Sequence, residues 1–162
     1  MYTNLEGRGS ALYVKDSIQS CELKYSAQCR AAVWCEIKLR ELDKLVIGVI
    51  YRSPNCTDDE NSQLLSMVTQ AVSSKPCHLM IMGDFNFPGI DWNSHSGSQH
   101  HEEVFLNSFR DLFLWQHSEK PTHYREGQTV NILDLVFTSE EEMIDKINYC
   151  EPIGKSDHLT LD

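Results

Sequence analysis

The length of the chain, 162 residues, is enough for one domain with a sizeable core. Its composition, with 41% apolar and 9% aromatic residues, is that of a globular protein and excludes a disordered chain. The formal charge of −10 disfavours a tight non-specific nucleic-acid binder, which would need a basic surface. It does not exclude a hydrolase that holds a cation with its carboxylates.

The sequence shows no apolar run long enough for a transmembrane helix and no signal-peptide layout at its first residues. We therefore expect no membrane segment and an intracellular protein, nuclear or cytoplasmic. Six cysteines are enough for three disulfides, but without a secretory signal the reduced state is favoured. The lack of a C-x-x-C pair disfavours a structural zinc site.

The first quarter of the chain predicts strands. Residues 1–8 are predicted to be a frayed end, and residues 10–15 a short strand. Residues 31–39 alternate between apolar and polar side chains, which predicts a half-buried antiparallel strand. Residues 45–51 are a continuous apolar run that is typical of a buried strand. The two longer strands are predicted to form a hairpin.

A helix and a central strand are predicted next. Thr57-Asp58-Asp59-Glu60 is a capping box that opens a helix, and apolar residues keep helical spacing until Pro76 ends it. Residues 77–83 predict a buried central strand. Residues 85–99 are rich in Gly, Asn and Ser and predict a long loop, which in a compact domain is often functional.

The second half of the chain predicts one more helix and further strands. Residues 100–114 predict a helix whose apolar stripe contains Phe105, Phe109, Leu112 and Phe113, with a solvated first turn at residues 100–103. Strands are predicted at residues 132–137 and 146–150, and residues 115–122 are predicted to be irregular or a short strand. This order predicts a single α/β (α+β) domain over residues 1–162, with mixed sheets inside and helices outside.

The motif Gly83-Asp84-Phe85-Asn86 ends the central strand abruptly. A glycine there lets the backbone turn and lets a ligand approach closely. Asp84 and Asn86 would project from the carboxyl end of the strand, where ligands bind in layered α/β sheets. Such a pair suits holding a nucleophile or a phosphate oxygen, and a simple strand-to-loop turn is the alternative.

Three further positions are candidates for the same site. Asp134 stands in an otherwise apolar strand, which is costly unless a partner such as a histidine pairs with it; a strand-end acid facing solvent is the alternative. Within Ser156-Asp157-His158, neighbouring side chains serve one site only at a strand end or kink, and a polar turn is the alternative. Tyr51 ends its strand, where a tyrosine is usually half-buried with its hydroxyl in water.

The order of the motifs resembles the endonuclease/exonuclease/phosphatase superfamily, and most of all the apurinic-type endonuclease domain of LINE-type (non-LTR) retrotransposons. The segments that carry the resemblance are residues 50–55, 83–86, 131–137 and 156–158. The resemblance begins near Gly9 and implies a four-layer sandwich of mixed β-sheets flanked by helices. Members of the family begin with two further strands, which bear an Asn and the main metal-binding Glu. It therefore implies a fold incomplete at the N-terminus, with an exposed sheet edge that allows self-association.

The resemblance also implies the reaction, the hydrolysis of a phosphodiester bond in DNA by in-line attack of water with Mg²⁺ (or Mn²⁺) as Lewis acid. It implies that Tyr51 hydrogen-bonds the scissile phosphate. Asp84 would position or deprotonate the attacking water, and Asn86 would hold a phosphate oxygen.

For the remaining positions, the resemblance implies that Asp134 pairs with His158, which contacts the phosphate, and that Asp157 helps bind the metal. Because no segment matches the strand that bears the Glu, we expect weak metal binding and impaired activity. Two alternatives are a catalytically dead retrotransposon-derived remnant that acts through protein contacts and a small-molecule phosphatase of the same superfamily.

Overall fold

The computed structural model describes residues 1–3, 9–25, 32–124, 127 and 129–162. Its regular elements in chain order are β1 (Tyr2–Thr3), β2 (Ala11–Leu12), β3 (Ser20–Leu23), β4 (Ala32–Lys38), β5 (Lys44–Tyr51), α1 (Asp58–Ser73), β6 (His78–Asp84), β7 (Ile90–Asp91), β8 (Ser96–Gly97), α2 (His100–Asp111), β9 (Trp115–Gln116), β10 (Asp134–Thr138), a 3-10 turn (Glu141–Met143), β11 (Tyr149–Cys150) and β12 (Thr160–Leu161).

The main sheet has six strands in the order β3-β4-β5-β6-β10-β9. Strands β5 and β6 are parallel, and every other neighbouring pair in this sheet is antiparallel. Three two-stranded sheets, β1-β2, β7-β8 and β11-β12, accompany it in the described part of the chain. The prediction of an α/β fold with mixed sheets flanked by helices is therefore confirmed. Self-association through an edge of the sheet stays a prediction.

The predicted hairpin of β4 and β5 is present, but β4 is more buried than its alternation predicts. Trp34 on one face and Val33 and Cys35 on the other are all buried. The indole Nε1 of Trp34 lies 3.2 Å from the sulfur of Met67 in α1, and its ring occupies the space above Gly48, where any side chain would overlap it. The polar residues of β4 therefore indicate exposure only in its second half. The prediction of a half-buried strand is wrong at the centre of β4, which is buried on both faces.

Helix α1 begins at the predicted capping box. The Thr57 hydroxyl accepts a hydrogen bond from the Glu60 backbone N–H at 3.2 Å, and the Glu60 carboxylate accepts one from the Thr57 N–H at 2.8 Å. The helix ends at Ser73, before Pro76, as predicted. Its apolar side packs against the main sheet together with α2, and the core between them contains Trp34, Val46, Ile50, Leu64, Met67, Val68, Ala71, Leu79, Ile81, Phe85, Phe87, Ile90, Phe105, Phe109, Leu135 and Phe137.

Helix α2 is shorter than predicted, and its first turn is only partly solvated, since Glu102 is buried. Phe105 and Phe109 are buried, but Phe113 lies beyond the end of the helix with a left-handed φ of 56° and is 83% exposed. Glu102 is only 2% exposed, because its carboxylate accepts hydrogen bonds from the backbone N–H groups of Gly89, at 2.8 Å, and Ser98, at 2.9 Å. The helix start thereby fixes the preceding loop.

Several short elements differ from the predictions. The loop predicted at residues 85–99 contains the small hairpin β7-β8. The strand predicted at residues 10–15 is reduced to β2, which pairs with β1 in the segment predicted to be frayed, whereas residues 4–8 lie outside the described residues. The strand predicted at residues 146–150 is reduced to β11, which pairs with β12. Two-residue strands depend on their partners and leave no periodic pattern in the sequence.

The cysteines Cys21, Cys35, Cys56, Cys77 and Cys150 are free thiols, as predicted, and Cys29 lies outside the described residues. In the described part of the chain, no helix is both long and apolar enough to cross a membrane.

Candidate active site

Tyr51, Asp84 and Asp134 lie side by side across three neighbouring strands. Tyr51 is paired with Asp84 in the parallel register of β5 and β6, and Asp134 is paired with Asp84 in the antiparallel register of β10 and β6. Residues paired in this way point to the same face of a sheet. That face lies opposite the helices, because Leu79 and Ile81, which alternate with it along β6, are buried in the core.

The backbone turns sharply after β6, as the sequence predicts. Gly83 has a φ of 142°, and a Cβ at this position would overlap the carbonyl oxygen of Ile50 on β5. The Arg52 N–H donates to the Asp84 carbonyl at 2.8 Å, and Asn86 adopts a left-handed φ of 49°. The close approach of the two strands therefore requires glycine and brings Asp84 and Asn86 to the edge of the sheet.

Asn86 holds the carboxylate of Asp84 in place. Its backbone N–H donates to Oδ1 at 3.1 Å, and its side-chain amide donates to Oδ2 at 2.8 Å. The same amide also donates to the backbone carbonyl of Arg52 at 2.9 Å. Both amide hydrogens are thus used within the protein, so Asn86 orients Asp84 in this structure.

Arg52 stabilises the turn after β6, a role that was not predicted from the sequence. It is only 3% exposed, and its Nε donates to the Asn61 side chain at 2.7 Å. One of its terminal nitrogens donates to the Asn86 carbonyl at 2.8 Å, and the guanidinium carbon lies 3.9 Å from the centroid of the Phe87 ring. In the sequence, an arginine directly after a strand gives no sign of burial, because this position usually faces solvent.

His158 lies between two carboxylates. Its Nδ1 is 2.8 Å from Asp134 Oδ2, within hydrogen-bond distance, and its Nε2 is 4.0 Å from Asp84 Oδ2. The hydrogen bond with Asp134 raises the pKa of His158, although burial opposes this. The positive imidazolium is therefore favoured, with Nε2 facing Asp84.

The environment of Asp84 disfavours its charged form. Burial, reinforced by the negative charge of Asp134, raises the pKa of Asp84 to about 6, while His158 and Asn86 lower it. A carboxylate of this basicity is still ionised at neutral pH and is a better proton acceptor than an ordinary aspartate.

Thr122, which was not predicted, fixes the start of β10. It is fully buried, and its hydroxyl accepts hydrogen bonds from the N–H groups of Leu133, at 3.1 Å, and Asp134, at 2.9 Å. Its carbonyl accepts a hydrogen bond from the Leu159 N–H at 2.7 Å. Thr122 thus connects the backbones next to Asp134 and His158, an arrangement that no local sequence pattern reveals.

Asp157 lies beside His123, another residue that was not predicted. Asp157 Oδ2 is 3.3 Å from His123 Nε2, and the Tyr124 N–H donates to the Asp157 carbonyl at 2.8 Å. The rings of His123 and His158 are 4.9 Å apart. Hydrogen bonding to its own backbone N–H and to His123 lowers the pKa of Asp157, so this carboxylate is ionised at neutral pH.

Asp157 is suited to hold a divalent cation weakly. Its side chain is 46% exposed, so water and a substrate oxygen could complete the coordination of Mg²⁺, which is commonly held by one or two carboxylates. Within the described residues, the potential ligands grouped with Asp157 are the imidazoles of His123 and His158. The donor set therefore offers one carboxylate, which fits a loosely bound Mg²⁺.

The fold and the grouping of Asp84, Asn86, Asp134 and His158 at one edge of the sheet define a hydrolase fold of the nuclease and phosphatase type, that of the endonuclease/exonuclease/phosphatase superfamily. A family model described as "endonuclease-reverse transcriptase" matches residues 45–161, and the chain belongs to this family. The resemblance to this superfamily that the sequence motifs indicate is confirmed.

Solved structures show the same fold. The endonuclease domain of TRAS1, a telomere-specific non-LTR retrotransposon, matches 88% of this chain with a TM-score of 0.69 and 16% identity. The 3′ phosphatase NExo from Neisseria, bound to a product DNA hairpin, matches 78% with a TM-score of 0.52 and 13% identity. The human Nocturnin catalytic domain with a bound sulfate matches 88% with a TM-score of 0.52 and 17% identity.

The chain spans 64%, 62% and 56% of these three structures, respectively. At such identities the likeness shows the fold alone. A comparison with curated proteins finds no match.

Proposed function

We propose that the chain is a DNA phosphodiesterase assisted by a divalent metal ion. The observation that carries the proposal is the pairing of a basic carboxylate with an imidazole: Asp84, whose pKa is raised to about 6, faces Nε2 of His158 across 4.0 Å. DNA as the substrate is supported by the family description and by the similarity to a retrotransposon endonuclease domain.

In the proposed reaction, Asp84 accepts a proton from a water molecule as the oxygen of that water forms a bond to phosphorus. The opposite P–O bond breaks in line, and the leaving oxygen takes the electron pair. The imidazolium of His158, held by Asp134 at 2.8 Å, stabilises the negative charge that develops on the phosphate oxygens. Preorganised charges of this kind are usually the largest contribution to catalysis.

The other predicted residues have supporting roles. Tyr51, beside Asp84 in the register of the sheet, would donate to the phosphate. Because both amide hydrogens of Asn86 are used within the protein, its proposed role is to orient Asp84, and contact with a phosphate oxygen stays a prediction. Mg²⁺ or Mn²⁺ held by Asp157 would supply Lewis-acid stabilisation of the phosphate charge.

Nicking of supercoiled plasmid in the presence of Mg²⁺ tests the proposal. We expect the wild-type chain to produce open-circular DNA, Asp84→Asn to lose at least about 100-fold in rate, and the exposed Asp16→Asn to keep the wild-type rate. Equal rates for wild type and Asp84→Asn would reveal a contaminating nuclease and refute the proposal.

The two alternatives give different outcomes. A small-molecule phosphatase would release inorganic phosphate from phosphate monoesters faster than it nicks plasmid, and Asp84→Asn would abolish this release. A catalytically dead remnant would unfold cooperatively in urea but act on neither substrate. Measuring both activities and the unfolding transition on one preparation therefore separates the three functions.

A further inference from the structure

His123, Asp157 and His158 form a second group of potential metal ligands, which shares His158 with the group of Asp84, Asp134 and His158. One ligand atom from each of the three residues lies within 4.8 Å of the others. Only Asp157 and His158 belong to the motifs that indicate the hydrolase. The backbone of His123 forms isolated antiparallel β-bridges with Asn131 and His158, and these bridges place His123 in the group.

The spacing of two of the three ligand atoms matches that of a tetrahedral metal site. Ligand atoms that lie about 2.0–2.1 Å from a tetrahedral ion are about 3.3 Å apart. The observed distance between His123 Nε2 and Asp157 Oδ2 is 3.3 Å. The ligand atom of His158 lies within 4.8 Å of the other two, so its imidazole would have to move toward the ion to become the third ligand.

The hydrogen bond between His158 and Asp134 favours this use. His158 binds Asp134 through Nδ1, which leaves Nε2 as its ligand atom, and a carboxylate on the other ring nitrogen is the usual arrangement in metal sites. The structural contacts of His123 do not satisfy all its hydrogen-bonding groups, because its buried Nδ1 has no hydrogen-bond partner among the described residues. Among the described residues, the side chain of His123 forms a hydrogen bond with Asp157 through Nε2.

We propose that His123, Asp157 and His158 bind a borderline divalent transition-metal ion of the Zn²⁺ type. Two imidazoles and one carboxylate suit Zn²⁺, Co²⁺ or Ni²⁺, whereas Mg²⁺ prefers oxygen ligands alone. Three protein ligands leave the fourth tetrahedral position for water, and the exposed side of Asp157 gives access from solvent. If the proposed function holds, this ion competes with Mg²⁺ for Asp157. It also displaces the proton from Nε2 of His158, which then no longer takes part in the reaction.

Calorimetric titration with ZnCl₂ tests the site without any assay of activity. The titrated variant carries Cys21→Ser, Cys29→Ser, Cys77→Ser and Cys150→Ser, so that these thiols do not bind the metal. We expect one Zn²⁺ per chain, bound at least about tenfold more tightly than Mg²⁺ in a parallel titration.

The key variant is His123→Phe, because phenylalanine keeps the ring against His158 and removes both nitrogens, including the buried unpartnered Nδ1. We expect it to fold and to bind Zn²⁺ at least about tenfold more weakly. His100→Ala, an exposed histidine outside both groups, should keep the wild-type affinity. An increase of the melting temperature with Zn²⁺ that His123→Phe abolishes is the second readout.

Absence of Zn²⁺ binding, or equal affinities for wild type and His123→Phe, would overturn the proposal and leave His123 and Asp157 as a hydrogen-bonded pair only. Loss of plasmid nicking has no bearing on this result. The binding site and the proposed phosphodiesterase therefore succeed or fail separately.

Discussion

The carboxylate of Asp84 is ionised at a cost to the stability of the fold. Its pKa is raised from 3.8 to about 6, so the folded chain binds this proton more tightly than the unfolded chain does. The free energy of unfolding therefore falls by at most about 3 kcal/mol for this group as the pH rises from about 4 to about 6. It does not recover at higher pH. Such a cost is typical of a group kept for its chemistry.

The substitution Asp84→Asn should separate stability from activity. Near pH 8 we expect the free energy of unfolding to rise by about 1–2 kcal/mol, because the amide is neutral but accepts only one of the two hydrogen bonds from Asn86. Near pH 4 the gain should vanish, because the wild-type carboxyl is then largely protonated. Urea denaturation at both pH values measures this, and a loss of stability near pH 8 would contradict it.

The turn after β6 also depends on the buried contacts of Arg52. Arg52→Lys keeps the charge but cannot reach Asn61, the Asn86 carbonyl and the Phe87 ring together, so we expect a loss of about 2–3 kcal/mol in the free energy of unfolding. The exposed Arg40→Lys should change it by less than about 0.5 kcal/mol. Urea denaturation of the two variants side by side is the measurement, and equal effects would mean that the buried contacts of Arg52 add no stability.

Single residues also mark the limit of what the sequence predicts. Asp84 and Asp134 stand out because each interrupts or ends an apolar run, and a polar residue in such a run calls for an explanation. Thr122 and His123 precede a polar stretch and interrupt nothing. They join the site through backbone pairing with segments far along the chain, and one sequence does not encode such pairing in any local pattern.

At the scale of elements, Gly83 decides whether β5 and β6 can come together at the site. For Gly83→Ala we expect a loss of more than about 3 kcal/mol in the free energy of unfolding, because the new Cβ would overlap the Ile50 carbonyl and φ is positive. Gly154→Ala is the matched control, since its φ is also positive, 67°, but its Cβ would meet open space.

The control substitution should cost about 1–2 kcal/mol, the ordinary penalty for a left-handed residue with a side chain. Thermal and urea unfolding of both variants measure the difference. If the two variants lost the same stability, the close contact of β5 with Gly83 would carry no energetic weight.

The elements that could be predicted are those with strong local determinants. The capping box at Thr57 gives the start of α1 correctly, and the apolar run of β6 gives the central strand. The hairpin β7-β8 and the pair β11-β12 could not be predicted, because two-residue strands are set by tertiary contacts. The burial of Glu102 was missed for the same reason, since its partners are backbone groups of the preceding loop.

At the scale of the whole molecule, the negative net charge of the chain limits its affinity for DNA. It carries 24 acidic and 14 basic residues, so few lysines and arginines are available to neutralise phosphates. We expect the cleavage-deficient Asp84→Asn to bind a short duplex with a dissociation constant weaker than about 10⁻⁵ M at physiological salt without metal. The slope of log K against log salt should be shallow, with a magnitude below about 3.

Addition of Mg²⁺ should tighten this binding at least about tenfold, because a cation held by Asp157 can bridge to a phosphate and offset the local negative charge. Fluorescence anisotropy with a labelled duplex measures both effects, and Asp157→Asn in the same background should remove the effect of Mg²⁺ but not the salt dependence. Tight binding without metal, together with a steep salt slope, would mean that a basic surface contacts the DNA. Recognition of DNA would then not depend on the cation at Asp157.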